Sequence, residues 1–406
     1  MVGAPAPMTT SRATASLGLG LGLLVGAGCV ARVIVDGDCG DGVLQRGEIC
    51  LGLGARSELR IEGLEGLLLR VADFDGDAHL DLLVLGTEPQ GTVTSRLWRG
   101  RGDGSFEDAI DPGAFGCSAY AVAGDMDGDA ARDLLVDDCG PTVSLFLGSS
   151  SGTFSGPATV PIGLETRSSG LLDLDDDGLR EVVVMGEEPS SGGYGIAVAE
   201  RRSDGSYEPP VQSMLGHPSS GFDPTGLGFL DLDQDGLYDA LLIQSGAQGG
   251  LRVAPGQPEL RFGTPVPVGP PELVPTTTMV RDLDEDEVPD VLAFSFEEEA
   301  LVFLRSEAGQ LVERHRTEVP GLRTGPAGAG DIDADDRLDL LLFEPGTRRL
   351  QAWFGHGSGA FEGPFDVELD APVGQIALAD LDEDGALDIV VGTFEAGTLQ
   401  IRLSDP

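Results

Sequence analysis

The chain has 406 residues and carries 69 acidic against 25 basic side chains, a formal charge of −44. Neutralising phosphates requires a basic face and anionic membranes repel an acidic one, so nucleic acid and direct membrane adsorption are excluded as partners. Hydrophobic residues form 41% of the chain, enough for a core, but 61 Gly and 26 Pro break the apolar runs, and 5% aromatic content offers no stacking platform.

Residues 1–28 read as an export signal. Arg12 lies in a short leading region, Leu17 to Val25 form the apolar stretch, and Gly26, Ala27 and Gly28 precede Cys29. Leu17 to Ala27 is about half of the roughly 20 apolar residues that a bilayer span needs, so no transmembrane helix is expected. The segment resembles a bacterial lipoprotein signal, whose final cysteine is acylated after cleavage, with Gly26 where that family prefers Leu. The resemblance implies lipidation of Cys29 and, with Val30 following it, an outer-membrane or cell-surface location; secretion is the alternative. The membrane is then reached only through that anchor.

Five cysteines leave one over in an exported chain, and Cys29 has a separate use, so the other four are expected to pair. Residues 29–55 form a linker in which Cys39 and Cys50 bound a short module. It resembles the Cys-Gly-Asp-Gly modules near the amino termini of bacterial surface proteins. Cys117 and Cys139 flank Asp125–Asp133 at eight and six residues, nearly opposite each other in an antiparallel hairpin. That spacing predicts a cross-strand disulfide; two buried reduced thiols are the alternative.

From residue 56 to 406 one pattern recurs seven times: a small or apolar approach, Asp-x-Asp-x-Asp-x-x-x-Asp or Glu, then a run of Leu, Val and Ile. The copies begin at Asp73, Asp125, Asp173, Asp231, Asp282, Asp331 and Asp380, at spacings of 52, 48, 58, 51, 49 and 49. After each acidic loop comes a buried-strand run such as Leu82 to Leu85, then a second strand ending in a Gly-rich turn such as Gly102-Asp-Gly-Ser-Phe106 or Gly357-Ser-Gly-Ala-Phe361. About four short strands per period, without helical periodicity, is the arithmetic of a propeller blade. The reading is all-β: a seven-bladed β-propeller of four-stranded antiparallel blades. The last repeat stops after Leu399 to Leu403, and Glu58-Leu-Arg-Ile61 is expected to complete its sheet and remove an open edge.

Carboxylates at positions one, three and five of a tight turn converge on one point, and position nine closes the shell. Hard oxygens at that density suit Ca²⁺. The ligand set is Asp73, Asp75, Asp77 and Asp81; Asp125, Asp127, Asp129 and Asp133; Asp173, Asp175, Asp177 and Glu181; Asp231, Asp233, Asp235 and Asp239; Asp282, Asp284, Asp286 and Asp290; Asp331, Asp333, Asp335 and Asp339; Asp380, Asp382, Asp384 and Asp388. Seven bound ions would bring the charge from −44 to −30.

These loops resemble the FG-GAP and VCBS repeats of integrin α-subunit-like β-propellers, which read Asp-x-Asp-x-Asp-Gly-x-x-Asp-Leu. Asp173–Glu181, Asp231–Asp239 and Asp380–Asp388 keep the family's glycine at position six. The resemblance implies Ca²⁺ binding through the acidic positions and a binding or adhesion role toward an extracellular protein or glycan. Ala78, Ala130, Glu287 and Asp336 depart at position six, where positive φ is expected, at a cost of about 1 kcal/mol each. The loop at Asp282 also carries Pro289 and fits the pattern least.

Arg101-Gly102-Asp103 falls in an expected turn, where Gly and Asp need no further reason. His79, His217, His315 and His356 share no ligand spacing, and Trp98 and Trp353 are expected to pack. No nucleophile elbow, phosphate loop, His-Glu-x-x-His or Cys-x-x-Cys appears, so no catalytic residue is assigned. The alternatives are an extracellular polysaccharide lyase or hydrolase with its site in the propeller funnel, and a purely structural scaffold lipoprotein.

Overall fold

The computed structural model describes residues 56–61, 64–88, 93–113, 115, 121–202, 205–245, 249–323, 328–332, 337–343, 347–369, 372–385, 387–393 and 397–403, with the paired segments Arg32–Val33 and Glu48–Ile49. The export signal, Cys29, Cys39, Cys50, Cys117, Asp333, Asp335 and Asp336 lie outside the described residues.

Seven antiparallel meanders succeed one another along the chain, each with an acidic loop between its first and second strands. The second strands are Asp81–Thr87, Asp133–Asp137, Glu181–Glu187, Asp239–Gln244, Asp290–Ser295, Asp339–Phe343 and Asp388–Thr393, so each starts at position nine of its loop. Blade three shows the complete pattern: Glu165–Leu172, Glu181–Glu187, Tyr194–Ala199 and Val211–Gly216 pair in chain order. In blade one two isolated bridges, Leu97 to Ile110 and Gly100 to Phe106, stand where the other blades have a fourth strand. Blade four inserts a ribbon, Gly256–Gln257 against Arg261–Phe262, before its outer strand Val266–Val268.

First strands line the axis. Gln375–Ala379 touches both Gly328–Gly330 and Glu65–Ala72, and Glu165–Leu172 touches both Ala121–Gly124 and Pro224–Leu230. Second strands are sandwiched between neighbouring blades on both faces. They therefore read as unbroken apolar runs rather than alternating ones, as in Leu82 to Leu85, all fully buried. Buried side chains form seven apolar clusters, one at each junction between successive blades, including the junction of blades seven and one around Leu82, Val84, Val390 and Ile401. The ring is closed by hydrogen bonds as well: Arg56–Arg60 pairs with Thr398–Arg402, with Leu59 opposite Leu399. The strand expected at Glu58 to Ile61 is thus the fourth of blade seven, shifted by one or two residues.

The Gly-rich turns join third to fourth strands. In the first of them Asp103 accepts from the Ser105 N–H at 3.0 Å and Arg101 donates to the Phe106 carbonyl at 2.8 Å, so the Arg-Gly-Asp side chains are used within the turn. Trp98 and Trp353 lie in the inter-blade clusters. Cys139 is disulfide-bonded.

Candidate metal centre

Position nine is buried in all seven loops: Asp239 is 3% exposed and the other six are at 0%. A carboxylate taken from water in this way needs donors on both oxygens. In loops one, two, four, five and six, Oδ2 accepts the position-two N–H, from Phe74 at 2.7 Å, Met126 at 2.5 Å, Leu232 at 3.1 Å, Leu283 at 3.5 Å and Ile332 at 2.8 Å. Their Oδ1 accepts a second N–H from the end of the third strand or just beyond it: Gly100, Gly148, Gly256, Ser306 and Gly355, at 2.7 to 2.9 Å. The acid therefore ties its loop to the far end of the blade.

The glycine at that tie is a steric requirement. A Cβ on Gly100 or Gly355 would lie 2.2 Å from the carbonyl oxygen of Leu80 or Leu338, the position-eight residue. In blade five Ser306 replaces the glycine and donates its hydroxyl to the Pro289 carbonyl at 2.6 Å. The pattern match missed this contact, because the donor follows position nine by 15 to 19 residues according to the intervening loop. The recurring Gly after the third strand was the available signal.

The front of each loop is held by its own amides. Position one accepts from positions five and six: Asp173 from Asp177 at 3.1 Å and Gly178 at 3.0 Å, Asp380 from Asp384 at 3.1 Å and Gly385 at 3.0 Å. Position five accepts from position seven, as Asp177 does from Leu179 at 2.7 Å and Asp286 from Val288 at 2.9 Å. Positive φ occurs at position six, as expected, in Ala78, Ala130, Gly178, Gly236, Glu287 and Gly385, and also at position four, in Gly76, Gly128, Asp176, Gln234, Glu285 and Glu383. Loops one and two place their glycine at position four, loops three, four and seven at position six, and loop five has none.

Positions one, three and nine converge. In loops one to five, Asp73, Asp75 and Asp81; Asp125, Asp127 and Asp133; Asp173, Asp175 and Glu181; Asp231, Asp233 and Asp239; and Asp282, Asp284 and Asp290 each offer ligand atoms within 4.8 Å of one another. Asp77, Asp129, Asp177, Asp235 and Asp286 at position five are outside these trios. Burial pushes the carboxyls up, to about 7 at Asp81 and Glu181 and about 6 at Asp133 and Asp290, and upward also at Asp75, Asp239, Asp284 and Asp382. Among the described residues, three carboxylate oxygens are buried without any hydrogen-bond donor: Asp284 Oδ1, Asp382 Oδ1 and Glu181 Oε1. Orphan acceptors facing like charge are the donor chemistry that a hard divalent cation completes, so Glu181 and Asp382 with their loop partners fit Ca²⁺, whereas Asp284 already has Arg305 beside it.

The loops also meet one another. His79 at position seven of loop one contacts Glu383 at position four of loop seven, Nδ1 to Oε1 at 2.6 Å, across the closure. Asp73 accepts the Arg132 N–H from loop two through its carbonyl at 3.1 Å.

A ring of seven antiparallel blades with an acidic loop at the same turn of each defines a β-propeller. The chain carries FG-GAP-like repeats over residues 73–136, 173–242 and 331–391, each stretch opening at position one of a loop. No curated protein matches the chain. Among solved structures, the Tc holotoxin pore of Photorhabdus luminescens is similar over 86% of this chain and 14% of its own, at 14% identity and a TM-score of 0.41; this chain spans only a small part of that protein's length.

Proposed function

We propose that this propeller is a calcium-loaded binding or adhesion module, exported and held at a bacterial surface by a lipid on Cys29, with an extracellular protein or glycan as its partner. The observation that carries the calcium reading is the convergence of positions one, three and nine within 4.8 Å at the same turn of five blades. Asp75, Asp127, Asp175 and Asp233 with their position-one and position-nine partners would hold the ion, and the ion would supply the charge that the trios lack. The amides at positions five to seven orient the carboxylates, and the buried position-nine acid keeps the loop in register with its blade.

Calcium here is a structural staple. At Kd of ~10⁻⁴ M in ~1 mM calcium, each site contributes about 1.4 kcal/mol, and several sites together match the stability of a whole domain. A disulfide between Cys117 and Cys139 adds a covalent tie in blade two. The test is a calcium titration of the intact chain after EDTA stripping, following thermal unfolding and bound calcium together. Five or more ions with a rising midpoint support the reading; fewer than three with an unmoved midpoint overturn it.

A further inference from the structure

Loop five differs from its siblings in what faces its carboxylates. Arg305 lies near the end of the third strand, Ala300–Glu307, one residue before Ser306, and places Nε 3.1 Å from Asp284 Oδ2 and Nη2 in a hydrogen bond with Asp286. Those are positions three and five of the loop. We infer that loop five carries its own cation: the Arg305 guanidinium takes up Asp284, one of the three carboxylates that the calcium reading above, on which this inference rests, assigns to the ion, together with its neighbour Asp286, and the chain leaves this loop unloaded.

The charge and the geometry agree. Ca²⁺ needs six to eight oxygens, and a guanidinium cannot be deprotonated and offers none. Loading would require Arg305 to leave Asp284 and Asp286 and remain, tethered, beside a divalent ion. The loop's backbone is also the least adapted, with Glu285 and Glu287 both at positive φ and Pro289 at position eight. Strand register identifies the equivalent residues, since Leu82 pairs with Trp98, Val182 with Ala199 and Val291 with Leu304. Blade one has Arg99, but Glu107 draws that guanidinium away by a direct hydrogen bond and leaves it 3.5 Å from Asp75. Blade three has Glu200, of the opposite sign, which lines the same cavity of about 150 Å³ as Asp175. Among the described residues, only in blade five does the residue at this position ion-pair with two carboxylates of the loop, its hydrogen bond going to Asp286.

Native mass spectrometry of the intact chain counts the calcium ions on wild type, Asp175→Asn, Asp284→Asn, Arg305→Gln and Arg305→Lys. The inference expects Asp175→Asn to lose one ion, Asp284→Asn to lose none, Arg305→Gln to gain one and Arg305→Lys to match wild type. In EDTA the thermal midpoint of Arg305→Gln falls below wild type, and calcium restores it. An ion lost in Asp284→Asn, or none gained in Arg305→Gln while Asp175→Asn still loses one, overturns the inference and leaves the calcium reading standing. No ion on any variant overturns both.

Discussion

Loops three and five share a backbone path and acids at positions one, three, five and nine, yet they solve the same electrostatic problem in opposite ways. Loop three has glycine at position six, Glu200 nearby and a position-nine glutamate whose Oε1 is buried without a donor. Its negative charge is left open, waiting for a cation from solution. Loop five has no glycine, a shorter position-nine acid with donors on both oxygens, and Arg305 on two of its carboxylates. Arg305 compensates part of its charge from within, while Asp284 Oδ1 keeps no donor. One repeat can thus keep the family's acidic spelling and lose its dependence on the ion, because the deciding residue lies outside the repeat motif, on the third strand.

The largest test of this contrast is to remove position nine in EDTA. Asp290→Ala strands the Leu283 and Ser306 amides in the core and is expected to cost about 3 kcal/mol. Glu181→Ala strands the Leu174 amide alone and removes an orphan oxygen, at about half that cost. Equal losses in thermal unfolding would break the comparison. The same acids set a pH dependence. Their folded carboxyls are raised, by burial first, to about 7 at Asp81 and Glu181 and about 6 at Asp133 and Asp290, above an unfolded value near 4. Stability is therefore complete below about pH 4 and lost as pH climbs through 6 to 7. In EDTA the midpoint should fall between pH 5 and pH 8, and in millimolar calcium, which favours the ionised form, that fall should disappear. A calcium-free midpoint that rises over this range would refute the assignment.

Calcium itself should separate the loops at a slightly smaller scale. At a hundredfold excess over Kd, each loaded site contributes about 2.7 kcal/mol. Asp175→Asn is therefore expected to reduce the calcium-dependent rise of the midpoint by several degrees, and Asp284→Asn to leave it unchanged. Calorimetry with and without calcium reads both, and a matching loss in the two variants would show loop five to be loaded like the rest.

The architecture was legible because a propeller repeats its chemistry at nearly constant spacing. Seven acidic loops gave seven blades, the missing strand after Leu403 pointed to the closing segment near Glu58, and the runs after position nine marked strands buried on both faces. The positive φ at position six was legible from Gly178, Gly236 and Gly385, and Ala78, Ala130 and Glu287 adopt it without glycine. Position four was not legible, because its glycine appears only in the loops that lack one at position six, so neither column looks invariant. The second role of position nine was hidden for a different reason. Asp81 meets Gly100 and Asp133 meets Gly148 across unequal insertions, and self-alignment on the acidic motif shifts those glycines out of register. Arg305 needed the strand pairing itself, since only the register that sets Leu304 opposite Val291 puts the next residue against the loop.

The smallest test concerns the backbone alone and separates strain from charge. Glu287 holds φ of 69° at the position where loop three uses Gly178 at 86°. A non-glycine residue in this region costs about 1 kcal/mol, less whatever entropy glycine returns to the unfolded chain. Glu287→Gly is therefore expected to stabilise the protein by somewhat under 1 kcal/mol, and Gly178→Ala to destabilise it by about as much. Neither change touches a converging carboxylate, so the calcium count should not move in either variant. If Glu287→Gly alone allowed an ion onto loop five, backbone strain rather than Arg305 would be what keeps that loop empty, and the charge argument would have to yield to a conformational one.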